Sequence, residues 1–169
     1  QLQPNNIEDA YRIQNKLKIH YLSLNNNVCV GKKIAVTSKA AQKQLNISEP
    51  FHGNLFNKYF SKNINKLKSK DFFEPFVEPE ISFRVRDDIN ISKAPFSINQ
   101  ITELLDGLLC SIEIVDFRFS KPLSEIGALN LISTNAASDF WIGSDKIFDL
   151  NYIDLNDFSV SLYINNELK

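Results

Sequence analysis

The sequence is short of the residues that build the commoner metal and redox sites. Only two histidines, His20 and His52, and two cysteines, Cys29 and Cys110, occur among 169 residues. Two histidines are too few for a multi-histidine zinc centre, which is excluded. Both cysteines sit among apolar neighbours (Val28-Cys29-Val30 and Leu109-Cys110-Ser111), which predicts buried, reduced thiols. Methionine is absent even at position 1, which suggests a fragment or a processed chain. No apolar run reaches the roughly 18 residues that a membrane-spanning helix requires, and Gln1-Leu2-Gln3-Pro4-Asn5-Asn6 lacks the form of a signal peptide. Excess charge is missing too. With 19 basic and 20 acidic side chains the net charge is −1, so no overall field draws nucleic acid or an anionic membrane. These absences predict a soluble, cytoplasmic protein with neither nucleic acid nor membrane as a partner.

What is present suffices for a core. A hydrophobic content of 43% over this length fits one domain, 1–169. Ile7, Tyr11, Gln14, Leu17, Tyr21 and Leu24 recur on one helical stripe, with Glu8 and Asp9 in the first turn, which predicts an amphipathic helix over about 6–23. Residues 28–37 read as a strand with two unlike faces. One carries Val28, Val30, Lys32, Ile34 and Val36. The other sets Lys33 among the small residues Cys29, Gly31, Ala35 and Thr37, which leaves room above it and makes Lys33 the better inward-facing cation. A short helix is expected over 38–45. The basic run 57–70 lacks arginine and regular spacing and reads as a solvated loop or hairpin. Ser97 is a candidate N-cap for a helix carrying Ile98, Ile101, Leu104, Leu105, Leu108 and Leu109. Further strands are expected over 76–86, 111–119 and 157–164, the last entering a turn at Asn165-Asn166.

Two of these strands carry acid. In an extended chain alternate side chains share a face, so Glu78 and Glu80 point the same way with Pro79 turned between them. Alternating acids also decorate the wet side of ordinary strands, and both readings stay open on periodicity alone. In the later strand Glu113 shares its face with Ser111, Val115 and Phe117. An acid among apolar neighbours requires a metal or a cation, which favours Glu113 over Asp116 as a ligand.

Four segments, in order, resemble the bacterial 2-keto-4-pentenoate hydratases and the related 4-oxalocrotonate decarboxylases of the fumarylacetoacetate hydrolase superfamily. They are Ile7-Glu8-Asp9-Ala10-Tyr11-Arg12-Ile13-Gln14, Gly31-Lys32-Lys33-Ile34-Ala35-Val36-Thr37-Ser38-Lys39-Ala40, Val77-Glu78-Pro79-Glu80-Ile81 and Glu113-Ile114-Val115-Asp116. The resemblance implies an α+β fold, a mixed β-roll of the fumarylacetoacetate hydrolase C-terminal type with peripheral helices. Family members begin before residue 1 and continue past the turn at Asn165-Asn166, so the roll is expected to be incomplete and the chain to associate, as a homo-oligomer.

The resemblance also implies roles. A divalent cation, Mg²⁺ or Mn²⁺, would be held by Glu78, Glu80 and Glu113, with Lys33 as the active-site lysine. The acid that hydratases usually carry before the histidine is Phe51 here, leaving His52 as the candidate for a proton role. The family's Asp-Asn-Ala-Ser segment reads Thr134-Asn135-Ala136-Ala137, and Asn135 remains as a substrate contact. A small 2-oxo acid is the implied substrate. Three functions follow from this. The first is a hydratase that adds water to a 2-hydroxy-2,4-dienoate and yields a 4-hydroxy-2-oxo acid, as in aromatic compound catabolism. The second is a decarboxylase or other carbon-carbon lyase. The third is an inactive homologue that serves as a structural or interaction protein.

Overall fold

The computed structural model describes residues 3–62 and 66–169; part of the basic run 57–70, residues 63–65, lies outside the described residues. Helix α1 (Ile7–Ser23) starts at Asn6, whose side chain accepts the Asp9 N–H at 2.8 Å, and Glu8 and Asp9 occupy the first turn where the helix dipole favours acids. Strand β1 (Cys29–Ala35) follows, then the short helix α2 (Lys39–Gln44), capped by the Ser38 side chain. Strand β2 (Phe51–Phe56) returns antiparallel to β1, with Lys33 opposite Gly53 and Ile34 opposite His52. β3 (Phe60–Lys62) and β4 (Pro75–Val85) precede a second short helix, α3 (Ile98–Glu103). The long strand β5 (Leu105–Asp116), helix α4 (Leu123–Ser133), β6 (Ser138–Gly143) and the hairpin β7 (Tyr163–Ile164) with β8 (Glu167–Leu168) complete the order. Four strands form one sheet in the order β3-β6-β5-β4.

The chain divides into two compact units, Gln1–Glu78 with Glu113–Ile142, and Pro79–Ile112 with Gly143–Lys169. The first holds a contiguous apolar core, in which Ala10, Phe51, Val115, Ile126, Leu131 and Ile132 are buried. Here α1 packs against α4, and α4 against β2. Helix α4 is interrupted at Gly127, whose φ of +72° is one that a side chain would strain.

In the second unit the helix expected from Ser97 stops early. Its capping box is made, Ser97 and Gln100 bonding each other's backbone N–H groups, yet α3 ends at Glu103 and Leu105 already belongs to β5. The physical reason lies at Leu108 and Gly107. Leu108 exchanges two backbone hydrogen bonds with Phe148, at 2.9 and 2.7 Å, and a Cβ on Gly107 would approach Ile147 to 2.3 Å. The strand expected over 157–164 is likewise confined to Tyr163–Ile164. Phe158 and Val160 stay half exposed because no described strand pairs with 157–162. The β7–β8 turn follows its residues closely, since Asn165 and Asn166 take the positive φ of +53° and +66° that a two-residue hairpin needs. Both cysteines are free, but Cys110 is exposed and Cys29 only half buried, so the expectation of buried thiols fails. Along β5, Leu108 and Leu109 are buried while Cys110 faces solvent.

No helix among the described residues is long and apolar enough to cross a membrane.

Candidate functional site

Strand parity sends Lys33 inward. Its β1 neighbours Lys32 and Ile34 are exposed, while the Lys33 side chain keeps only 8% of its accessible surface. The ammonium lies 2.9 Å from Glu113 Oε2 and donates to the Ala136 carbonyl at 3.2 Å. Glu113 is among the most deeply buried large side chains of the described residues, 1% exposed. Its second oxygen, Oε1, has no hydrogen-bond partner among the described residues. Burial raises the Glu113 pKa, the charge and hydrogen bond of Lys33 and a hydrogen bond with Ser138 pull it back, and the nearby Glu78 charge raises it further. An unpartnered buried carboxylate oxygen costs a few kcal/mol unless something positive meets it.

Glu78, half buried on β4, places a carboxylate oxygen within 4.8 Å of one from Glu113. Glu80 follows two residues on in that strand, where the period of two gives it the parity of Glu78. The donor set is all carboxylate, which suits a hard divalent cation such as Mg²⁺ or Mn²⁺ and suits soft metals poorly. The orphaned Oε1 of Glu113 is the observation that tests the fit, because its lone pairs need a partner and no described residue supplies one.

The segment after α4 carries unusual backbone. Asn135, Ala136 and Ala137 have φ of +63°, +57° and +54°, three consecutive left-handed residues. Each non-glycine residue in that conformation costs roughly 1 kcal/mol or more. Asn135, only 6% exposed, spends its amide on strand β2. Its Oδ1 accepts the Asn54 N–H at 2.7 Å and its Nδ2 donates to the Asn54 carbonyl at 2.9 Å. Gln14 extends this network, donating to the carbonyls of His52 and Ile132 at 2.8 and 2.9 Å and accepting from the Asn54 side chain at 3.2 Å.

His52 lies apart from the acids. In β2 it is exposed beside the buried Phe51 and Gly53, opposite Ile34 on the outer face of the hairpin, and its ring stacks on Tyr11 with centroids 4.7 Å apart. Asp116, set aside on the sequence, is as buried as a ligand would be, but it is fully engaged. Its carboxylate accepts the N–H groups of Phe73 and Glu74, at 3.0 and 2.6 Å, and pairs with Arg118 at 3.3 Å.

Sequence reasoning missed this network. Gln14 is visible only as a polar residue on an apolar stripe, and nothing local marks Asn54 as its partner or the Ala136 carbonyl as the acceptor of Lys33.

No family model matches the chain. Individual proteins do. A 2-keto-4-pentenoate hydratase of Paraburkholderia xenovorans is 29% identical over 143 residues, 84% of this chain and 51% of the relative. A 4-oxalocrotonate decarboxylase of a Pseudomonas species is 24% identical over 165 residues, 95% of this chain and 59% of the relative. The chain therefore spans about half the length of the curated relatives it matches. Among solved structures, the 4-oxalocrotonate decarboxylase of Pseudomonas putida, complexed with magnesium and adipate, superposes with a TM-score of 0.81 at 21% identity, over 89% of this chain and 55% of that one. The same enzyme with calcium and acetate gives 0.78. The α+β fold is thus that of these decarboxylase structures, and in sequence the chain is similar to 2-keto-4-pentenoate hydratases and 4-oxalocrotonate decarboxylases.

Proposed function

We propose that this chain carries the acid cluster and active lysine of a divalent-metal-dependent hydratase, acting on a 2-hydroxy-2,4-dienoate and yielding a 4-hydroxy-2-oxo acid. Glu78, Glu80 and Glu113 are the residues that would hold Mg²⁺ or Mn²⁺. The observation that carries the reading is Glu113, a buried carboxylate with one oxygen held by Lys33 and the other unpartnered beside Glu78. When bound, the ion would supply Lewis-acid polarisation of the substrate's 2-oxygen.

Lys33 has three N–H donors and spends two of them on Glu113 and Ala136, which leaves the third for a substrate carboxylate. Its positive charge offsets part of the excess negative charge of three glutamates, and it is the group placed to hold or move a proton at the substrate. Asn135 and His52 are not carried forward as reacting groups. The Asn135 amide is spent on Asn54, and the His52 ring faces Tyr11 on the outer side of the hairpin.

Decarboxylation is the second reading, favoured by the fold match to 4-oxalocrotonate decarboxylase. Product analysis separates the two when the chain is incubated with Mg²⁺ or Mn²⁺ and each substrate. The hydratase reading expects loss of the dienol chromophore with formation of the hydroxy acid and no CO₂; release of CO₂ from 4-oxalocrotonate overturns it in favour of the lyase. Glu80→Ala should abolish metal-dependent turnover while the fold is kept. Lys33→Ala should leave metal binding intact and cut turnover; an unchanged rate would remove Lys33 from the chemistry. Metal binding without turnover on either substrate would leave the structural homologue.

A further inference from the structure

We infer that Asn135 is a positioning residue: its amide clamps a left-handed turn onto strand β2, and the turn's carbonyl sets where the Lys33 ammonium sits. The turn is the least favourable backbone near the acids, since Asn135, Ala136 and Ala137 all have positive φ and two of them are alanine. Such a conformation persists only where its surroundings hold it. The clamp is the pair of bonds between the Asn135 amide and both backbone groups of Asn54, the pattern by which one strand residue pairs with another. Gly53 makes the approach possible. A Cβ there would stand 2.6 Å from the Asn135 carbonyl oxygen and 3.2 Å from Lys33 Cγ.

The clamped turn then presents two carbonyls. Ala136 accepts Lys33 Nζ at 3.2 Å, and Ala137 accepts the Asp116 N–H at 2.9 Å. One turn thus joins Lys33 on β1 to the end of β5, the strand that carries Glu113. Its Oδ1 and one of its two amide N–H groups are engaged with Asn54, and the residue is only 6% exposed. The consequence for turnover rests on the proposed role of Lys33; the placement itself does not.

Native-state acetylation of lysines, followed by mass spectrometry of the whole chain, reads the placement directly. Asn135→Gly suits the positive φ but lacks the amide. It should raise the Lys33 modification rate about tenfold relative to the exposed Lys16 and Lys43, the factor that losing one hydrogen bond to a charged group brings. Ala136→Gly keeps both clamp and carbonyl and should leave Lys33 protected. Ile132→Val, a core change away from the clamp, controls for general loosening and should also leave it protected. In turnover assays Asn135→Gly should lower kcat with metal affinity unchanged. A folded Asn135→Gly in which Lys33 stays as protected as in the parent overturns the inference, as does equal exposure of Lys33 by Ile132→Val. If Asn135→Gly does not fold, Asn135→Asp keeps the acceptor toward the Asn54 N–H and loses the donor; an intermediate rise supports the clamp and no rise overturns it. Labelling needs neither metal nor turnover. A chain that binds no Mg²⁺ therefore sinks the proposed function and leaves this test standing, whereas normal metal binding with a protected Lys33 in the variant sinks this inference alone.

Discussion

Glu113 and Asp116 stand three residues apart on β5, both nearly inaccessible, and they do opposite things with their lone pairs. Asp116 receives two backbone N–H groups from the segment before β4 and the guanidinium of Arg118. It is a tie that fixes one stretch of chain to another. Glu113 receives Lys33 on Oε2, while no hydrogen-bond partner among the described residues meets Oε1. Burial of an acid therefore does not mark a site by itself; the unspent acceptor is what separates Glu113 from Asp116, because an unmet buried oxygen costs free energy that a bound cation would offset.

The comparison can be broken most forcefully at Asp116. Asp116→Ala leaves the N–H groups of Phe73 and Glu74 without their acceptor and Arg118 without one partner, and should cost about 3 kcal/mol in urea unfolding. A loss below about 1 kcal/mol would remove the tie from the account. Lys33→Met should cost a similar amount in chelator-treated protein, because it strands a buried carboxylate. Adding Glu113→Gln to it should then recover all but about 1 kcal/mol, since replacing both members of a buried ion pair is close to neutral. Additive losses in that double variant would show that the pair is not coupled.

The smallest effect belongs to His52, away from both acids. Partial burial and then the positive charge of Lys32 hold its pKa below the usual imidazole range. The folded state thus prefers the neutral ring. As pH falls below the ordinary imidazole pKa the unfolded chain takes up the proton first, and stability declines. His52→Gln should flatten this decline slightly between about pH 7.5 and 5.5, with the effect kept small by solvent screening of a half-exposed ring. Metal binding should not change, which marks His52 as external to the acid site.

Period-two alternation was enough to choose Lys33 over Lys32 and to put Glu78 and Glu80 on one face, because a strand's parity is a local property. Helical spacing after the Ser97 cap misjudges 105–109. A run of leucines fits a helix as well as a strand, and what decides it is the pairing of Leu108 with Phe148, forty residues away in the chain. Asp116 and Asn135 were opaque for a related reason. Whether a polar side chain is spent depends on which backbone groups face it, here those of Phe73, Glu74 and Asn54 from distant segments. The resemblance alone makes His52 a candidate for a proton role, whereas its face follows from the β1–β2 register, which puts it opposite Ile34.

A calorimetric Mn²⁺ titration of the parent chain beside Glu113→Gln and Asp116→Asn tests the central claim most directly. The account predicts one site in the parent, an affinity about a hundredfold weaker or undetectable in Glu113→Gln, and one within about threefold of the parent in folded Asp116→Asn. A parent chain that takes up no Mn²⁺, or a Glu113→Gln variant that binds it as well as the parent, would contradict it.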